Sequence, residues 1–292
     1  MSRSGIVAVV GKPNAGKSTL LNRIIGQKLS ITSEKPQSTR DRIVGIHTAN
    51  DVQMVILDTP GLLNPRYELQ RAMRAVALRA LTDADVIVYL ADVAEGPPPP
   101  VADAAQLAHP PRAPVILVFN KVDTLTPAQR QYLAGDHPDA VLISARSGDG
   151  VAALLERVGV QLPVSPYLYP DDELSTQSVR FFSAELVRET ALEQLEDEVP
   201  YSIACEIEEF RETHAPIYIR AVLHVERDSQ KAIIIGAKGA RIREIGKASR
   251  AKIEALVGAP IYLDLWVKVL PNWRRDKNAL RRLGYQPEDR AS

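Results

Sequence analysis

The chain has 292 residues, 45% hydrophobic and 25% charged, with 36 basic residues balanced by 36 acidic ones. That composition excludes disorder, collagen-like repeats and a disulfide scaffold, and the length suits about two domains at roughly 100–200 residues each. The single cysteine, Cys205, points to a reducing compartment; no apolar run reaches the roughly 18–20 residues of a membrane span, and the start lacks the basic region and cleavage site of a signal peptide.

Short β-branched runs predict strands at Gly5–Val10, Val52–Leu57, Val86–Ala91, Val115–Phe119 and Ala140–Ile143, with Arg42–Thr48 paired to Val52–Leu57 through a turn at Asn50-Asp51. Helical patterns lie between them at Lys17–Ile25, Glu68–Leu81, Val101–Ala108, Pro127–Leu133 and Val151–Val158. This alternation predicts an α/β domain over residues 1–162, with a mostly parallel sheet and helices on both faces. Pro163, Pro166 and Pro170 mark residues 163–175 as a stiff linker. A second, α+β domain is expected over residues 176–292: a helix at Thr176–Leu195, strands near Tyr201–Arg211 and Pro216–Glu226, two helices meeting around Gly236–Gly239, and a strand at Ile261–Val269.

Gly11-Lys12-Pro13-Asn14-Ala15-Gly16-Lys17-Ser18, followed by Thr19, matches G-x-x-x-x-G-K-S/T between a strand and a helix, the context a phosphate loop requires. Backbone N–H groups and the helix N-terminus favour phosphate there. Lys17 is expected to reach the β- and γ-phosphates, and Ser18 to hold Mg²⁺. Asp58-Thr59-Pro60-Gly61 ends a predicted strand, so Asp58 faces the ligand crevice and suits the Mg²⁺ shell, while the Gly61 N–H is placed to sense the γ-phosphate.

Asn120-Lys121-Val122-Asp123 carries base selectivity. The Asn120 amide suits the O6/N7 edge of guanine, and the Asp123 carboxylate accepts from N1–H and N2–H₂. Adenine would leave that carboxylate unpaired, which costs about 1–3 kcal/mol or more. The Lys121 stem packs along base and ribose, and Ser144-Ala145-Arg146 offers backbone N–H groups to O6. Leu62 stands where Ras-like enzymes carry a water-orienting glutamine, so slow intrinsic hydrolysis is expected.

In the second half, Gly236-Ala237-Lys238-Gly239 is a G-x-x-G with a basic residue inside, preceded by Ile233–Ile235 and followed by Arg241, Arg243 and Lys247. The α-β-β-α-α-β order predicts a type II KH domain, whose G-x-x-G loop clamps the backbone of about four nucleotides. Residues 231–292 carry 14 basic and 6 acidic residues, a net of +8; residues 170–212 carry 3 basic and 13 acidic, a net of −10. Such polarity orients a polyanion. Glu189–Glu198 and Glu206–Glu212 are read as solvated surface, and Trp266 and Trp273 as core or edge packing. Arg274, Arg275, Lys277, Arg281 and Arg282 form a further basic cluster: a solvated helix face, or one that meets RNA or an anionic membrane.

The four front motifs, in this order, resemble a TRAFAC-class small GTPase of the Era/EngA/MnmE branch rather than Ras. The resemblance makes Gln37-Ser38-Thr39-Arg40-Asp41 the first switch, with Thr39 as the hydroxyl that senses Mg²⁺ and the γ-phosphate; Ser38 stands where the branch usually has threonine. It implies catalytic roles for Lys17, Thr39 and Gly61. It also implies that Asn14 helps bind K⁺ in place of an arginine finger, the alternatives being an Asn that steadies the loop or an arginine supplied in trans. Ser30-Ile31-Thr32-Ser33, Gly-Ala-Lys-Gly, Leu265–Val269 and Leu283–Tyr285 extend the likeness to the Era family over nearly the whole chain. The resemblance implies GTP as substrate, the 3′ end of 16S rRNA as partner and 30S subunit assembly as the setting. It further implies a cytoplasmic monomer that associates with the inner face of the membrane. The rivals are an ATP-using kinase, an RNA-binding scaffold with little turnover, a membrane-associated regulatory GTPase, and a protein-docking back domain.

Overall fold

The computed structural model describes residues 1–33, 35 and 37–287. Two compact units emerge: residues 1–65 with 73–176, and the chain from Gln177 onward with 66–72.

The first unit is built on a six-stranded sheet in the order β2-β3-β1-β4-β5-β6. Its strands are β1 (Arg3–Gly11), β2 (Ile43–Ala49), β3 (Val52–Asp58), β4 (Val86–Asp92), β5 (Val115–Asn120) and β6 (Val141–Leu142). All neighbours pair in parallel except β2 with β3. That hairpin turns at Asn50 and Asp51, whose φ of 50° and 61° suit the two-residue turn that matches strand twist. Val7–Val10 of β1 and Val86–Leu90 of β4 are buried along their length, as continuous apolar strands covered on both faces must be. The covering helices are α1 (Lys17–Ile25), α2 (Glu68–Asp83), α3 (Val101–Ala105), α4 (Pro127–Asp136) and α5 (Val151–Gln161). Helix α3 stops three residues short of the expected Ala108 because Gln106 turns left-handed, with φ 53°. Strand β6 keeps two of the four residues expected.

The proline-rich stretch 163–175 runs along this unit. Buried Gln53 donates to Tyr169 O at 2.9 Å and accepts from Leu168 N at 2.8 Å, and Leu174 O accepts from Ile46 N at 2.9 Å.

The second unit contains α6 (Val179–Gln194), an antiparallel pair β7 (Ala204–Arg211) and β8 (Ile217–Val225), α7 (Asp228–Ile235), α8 (Ala240–Val257), β9 (Ile261–Val269) parallel to β8, and α9 (Lys277–Arg282). This α-β-β-α-α-β order is the type II KH arrangement. Helix α6 starts at Ser178, whose hydroxyl accepts from Phe181 N at 3.2 Å, a cap worth about 1 kcal/mol. Val187 and Ala191 of α6, Ile219 and Leu223 of β8, Ile234, and Ile245 and Ile253 of α8 form its core. Each large aliphatic buried there contributes roughly 1.5–3 kcal/mol.

One sequence reading changes in this unit. Glu189 is fully buried, not solvated, and pairs with Lys252 at 3.0 Å. Trp273 is core, while Trp266 is 54% exposed on β9. Helix α9 turns Arg281 and Arg282 to solvent while its other side is anchored: Asp276 caps it, Leu280 is buried, and Tyr285 stacks on Trp273 at 6.0 Å.

Candidate functional site

Every front motif lies at the C-terminal edge of a parallel strand. Gly11–Ser18 follows β1, Asp58–Gly61 follows β3, Asn120–Asp123 follows β5 and Ser144–Arg146 follows β6. In open α/β sheets that edge is where ligands bind. A cavity of about 580 Å³ opens there. Its walls come from the phosphate loop (Asn14, Gly16, Lys17, Ser18, Thr19), the loop Ile31–Ser33 with Ser38, and the segments Asn120–Thr124 and Ala145-Arg146. One concave site therefore joins three of the expected motifs and the first switch.

Lys17 is buried, and its Nζ donates to Lys12 O at 2.8 Å and Gly11 O at 3.3 Å, so the ammonium caps the loop that carries it. Burial pulls its pKa down to about 8, and the nearby Asp58 charge opposes that shift. Lys12 lies outside the cradle in an exposed pair with Glu95 at 2.7 Å. Asn14 sits in the left-handed region, φ 63°. Gly61 packs on Pro13 so tightly that a Cβ would lie 2.6 Å from Pro13 N, which holds the second motif against the first. Leu62 N donates to Gly11 O at 3.0 Å while its side chain enters the core of the unit, so it cannot face a water molecule. The Thr59 hydroxyl is engaged with Val9 O at 2.9 Å and Pro60 is buried, so these two shape the turn rather than reach the cavity.

Three hydroxyls converge on one carboxylate oxygen. Asp58 Oδ2 accepts from Ser30 Oγ at 2.6 Å, Ser18 Oγ at 2.7 Å and Thr39 Oγ1 at 3.5 Å, and Ser18 and Thr39 lie 2.9 Å apart. Asp58 Oδ1 is buried and has no hydrogen-bond partner among the described residues. Burial raises the Asp58 pKa; Lys17 and the three hydroxyls act against it. An orphaned carboxylate oxygen beside two hydroxyl oxygens fits a hard divalent cation, which takes oxygen ligands and retains water. The sequence reading picked out Ser18, Thr39 and Asp58 but missed Ser30. In the rest of the first switch, Gln37 is left-handed, φ 64°, Ser38 lines the cavity, Arg40 is buried, and Asp41 accepts from Arg42 N at 2.8 Å.

At the base end, Asn120 links motifs. Its Nδ2 donates to Ala15 O at 2.8 Å, and its Oδ1 accepts from Ala145 N at 2.9 Å. A Cβ on Gly16 would lie 2.2 Å from that Nδ2. One Nδ2 proton remains for a purine N7. Ser144 N is engaged with Asp149 O at 2.9 Å and Ala145 N with Asn120, so although Ala145 and Arg146 both line the cavity, two of the three N–H groups expected to face O6 are already used. Lys121 is left-handed, φ 68°, lines the cavity with its stem and pairs with Asp92 at 2.6 Å. Asp123 is exposed on the cavity wall. Arg23 of α1, also missed, donates to Ala145 O at 3.2 Å and to Arg146 O, bracing that loop.

In the second unit, Gly236, Lys238 and Gly239 are all left-handed, with φ of 69°, 50° and 76°, and Ala237–Gly239 forms a tight turn between α7 and α8. Ala237 and Lys238 are exposed. Arg241 Nη1 donates to Ile233 O at 3.2 Å and Arg243 Nη1 to Lys238 O at 3.0 Å, so these two arginines steady the loop. Lys238 and Lys247 are exposed and their ammonium groups have no partner among the described residues. Arg274 is engaged by Glu226, while Arg275, Arg281 and Arg282 are exposed.

Residues 6–121 match the family model described as a 50S ribosome-binding GTPase, and residues 198–274 match the KH domain model. The chain is 44% identical over 291 residues to the GTPase Era of Geobacter metallireducens, covering 97% of this chain and 98% of that one. It is 43% identical over 294 residues to the GTPase Era of Pseudomonas syringae pv. tomato, covering 97% of each. Two solved structures superpose with a TM-score of 0.90 at 39% identity. One is Era in complex with MgGDPNP and nucleotides 1506–1542 of 16S ribosomal RNA, covering 98% of this chain and 99% of that one. The other is a single-substitution variant of Aquifex aeolicus Era bound to GDP·AlF4⁻, covering 97% and 99%.

Proposed function

The chain belongs to the Era family of GTPases, and from that premise we propose that its GTP hydrolysis switches a grip on RNA. Residues 1–162 are the nucleotide domain, 163–175 the linker and 176–292 the RNA-binding domain. The RNA partner is the 3′ end of 16S ribosomal RNA, and the setting is assembly of the 30S subunit. The observation that carries the nucleotide assignment is the single cavity in which phosphate loop, first switch and guanine-reading residues meet beside the Asp58 hydroxyl cluster.

Ser18, Thr39 and Asp58 would hold Mg²⁺, Asp58 through water, and the ion supplies charge neutralisation on the phosphates when bound. Lys17 exchanges its loop carbonyls for phosphate oxygens. The Gly61 N–H meets the γ-phosphate. Asp123 selects guanine, Asn120 meets the purine N7, and Lys121 covers the base. With Leu62 directed into the core, rate acceleration comes from positioning and electrostatics. Asn14 would help hold a K⁺ ion, which would supply the positive charge an arginine finger gives elsewhere; equal GTPase rates in KCl and NaCl would remove that assignment.

On RNA, Gly236, Ala237, Lys238 and Gly239 form the backbone clamp. Lys238 and Lys247 contribute exposed charge, and Arg241 and Arg243 hold the loop in shape. We place the protein in the cytoplasm as a monomer; no helix among the described residues is long and apolar enough to cross a membrane. Contact with an anionic membrane surface falls to exposed Arg275, Arg281 and Arg282.

Calorimetry with GTP, GDP and ATP tests the central claim. Binding of both guanine nucleotides with no heat from ATP is expected, together with multiple-turnover phosphate release that Lys17→Ala abolishes. Heat from ATP without heat from GTP overturns it.

A further inference from the structure

Ser30 belongs to none of the four nucleotide motifs, yet its hydroxyl makes the shortest of the three bonds to Asp58 Oδ2, at 2.6 Å. It is 2% exposed and, unlike its neighbours Ile31, Thr32 and Ser33, does not line the nucleotide cavity. A hydroxyl in that position is placed to hold the carboxylate and not to meet nucleotide or metal.

Asn22 sets the place of Ser30. Its side-chain Oδ1 accepts from Leu29 N and Ser30 N, both at 2.9 Å, and its Nδ2 donates to Ser30 O at 2.8 Å. Asn22 lies one helical turn beyond Ser18 on α1, so both residues project from the same face of the helix that opens at the phosphate loop. That helix therefore reaches the same carboxylate oxygen by two routes: directly through Ser18, and through Asn22 and Ser30. With Oδ2 held in this way, Oδ1, which has no partner among the described residues, has a fixed direction.

Resting on the GTPase reading above, we propose that Ser30, seated by Asn22, is a positioning residue that orients the Asp58 carboxylate toward the Mg²⁺ shell and so sets the metal affinity of the nucleotide complex. Outer hydrogen bonds orient metal-binding groups, and loss of one on a direct ligand costs about 10–100-fold in metal affinity; Asp58 acts through water, so the loss of the Ser30 bond is expected to cost less, roughly severalfold. A charge-assisted bond to a buried carboxylate is among the stronger kind.

The test follows release of a fluorescent GDP from the full-length protein across a Mg²⁺ titration, with EDTA as the metal-free end. In Ser30→Ala the Mg²⁺ concentration that half-maximally slows release should rise severalfold, up to about 10-fold. Release in EDTA should match wild type, because Ser30 does not touch the nucleotide cavity. Ser30→Thr, which keeps the hydroxyl, should restore the wild-type midpoint. Ser30→Cys, a weaker donor, should shift it in the same direction as alanine, and provides the measurement if the alanine variant is insoluble. An unchanged midpoint in Ser30→Ala or Ser30→Cys overturns the proposal. A wild-type protein that retains no GDP at any Mg²⁺ concentration overturns instead the reading on which it rests.

Discussion

Lys17 shows how far burial alone sets the behaviour of one residue. Its ammonium has left water for the inside of the phosphate loop, where two carbonyls replace its hydration and only Asp58 offers charge. The pKa falls to about 8, so the free protein begins to lose this proton just above neutral pH. Bound phosphates favour the charged form and push the pKa back up. Above pH 8 the complex therefore holds more protons than the free protein, and by linkage nucleotide affinity must fall as pH rises. At pH 8.5, GDP binding should take up more than about half a proton, read from calorimetry in buffers of different ionisation enthalpy. Lys17→Arg, charged throughout, should take up none at this site. Wild-type binding heats that do not depend on the buffer between pH 7 and 8.5 would contradict this account. Asn120 teaches a related lesson. It reads as a base contact in the sequence, yet half of its hydrogen-bonding capacity ties Ala15 to Ala145, so loss of this amide loosens two motifs together.

At the scale of elements, legibility follows from how much of an element's cause is local. The strands of the first sheet announce themselves because a parallel strand buried on both faces reads as a near-continuous apolar run rich in β-branched residues, as at Val7–Val10 and Val86–Val88. The phosphate loop is legible because phosphate chemistry dictates both its glycines and its spacing. The G-x-x-G turn is legible for a similar reason: Gly236 and Gly239 take left-handed backbone at little cost and let two helices meet around an exposed lysine. Ser30, Asn22 and Arg23 were not legible as functional. Their partners, Asp58, the Leu29-Ser30 backbone and the Ala145-Arg146 carbonyls, are set by tertiary placement, and a lone hydroxyl or arginine carries no period. Glu189 misleads for the same reason. An acidic run on α6 looks solvated until α8 brings Lys252 across it, and a buried carboxylate without that partner would be strongly destabilising. The early end of α3 rests on the backbone of Gln106, a residue with no strong signal of its own.

For the whole molecule, one chain carries a nucleotide cavity with its switch loop and a basic turn suited to an RNA backbone. The back half is itself polarised, with net −10 over residues 170–212 and net +8 over residues 231–292, which orients a polyanion toward the G-x-x-G side. If nucleotide state alters RNA affinity by some factor, RNA must alter the preference for GTP over GDP by the same factor, because both edges of the thermodynamic cycle close on the same four states. Couplings of this kind amount to about 1–3 kcal/mol, or roughly 5–150-fold. The expected result is that RNA affinity, measured with a GTP analogue and with GDP, differs by a factor that reappears in the analogue-to-GDP affinity ratio when RNA is added. Replacing Lys238 and Lys247 by glutamate should weaken RNA binding and flatten its dependence on salt by about 0.7 for every phosphate that is no longer neutralised, since each lysine on a phosphate releases a counterion. The double variant should leave nucleotide affinity without RNA unchanged, because neither lysine lines the cavity. RNA affinity that is identical with analogue, with GDP and without nucleotide would reduce the protein to two independent binders on one chain, and the switch would have no physical basis.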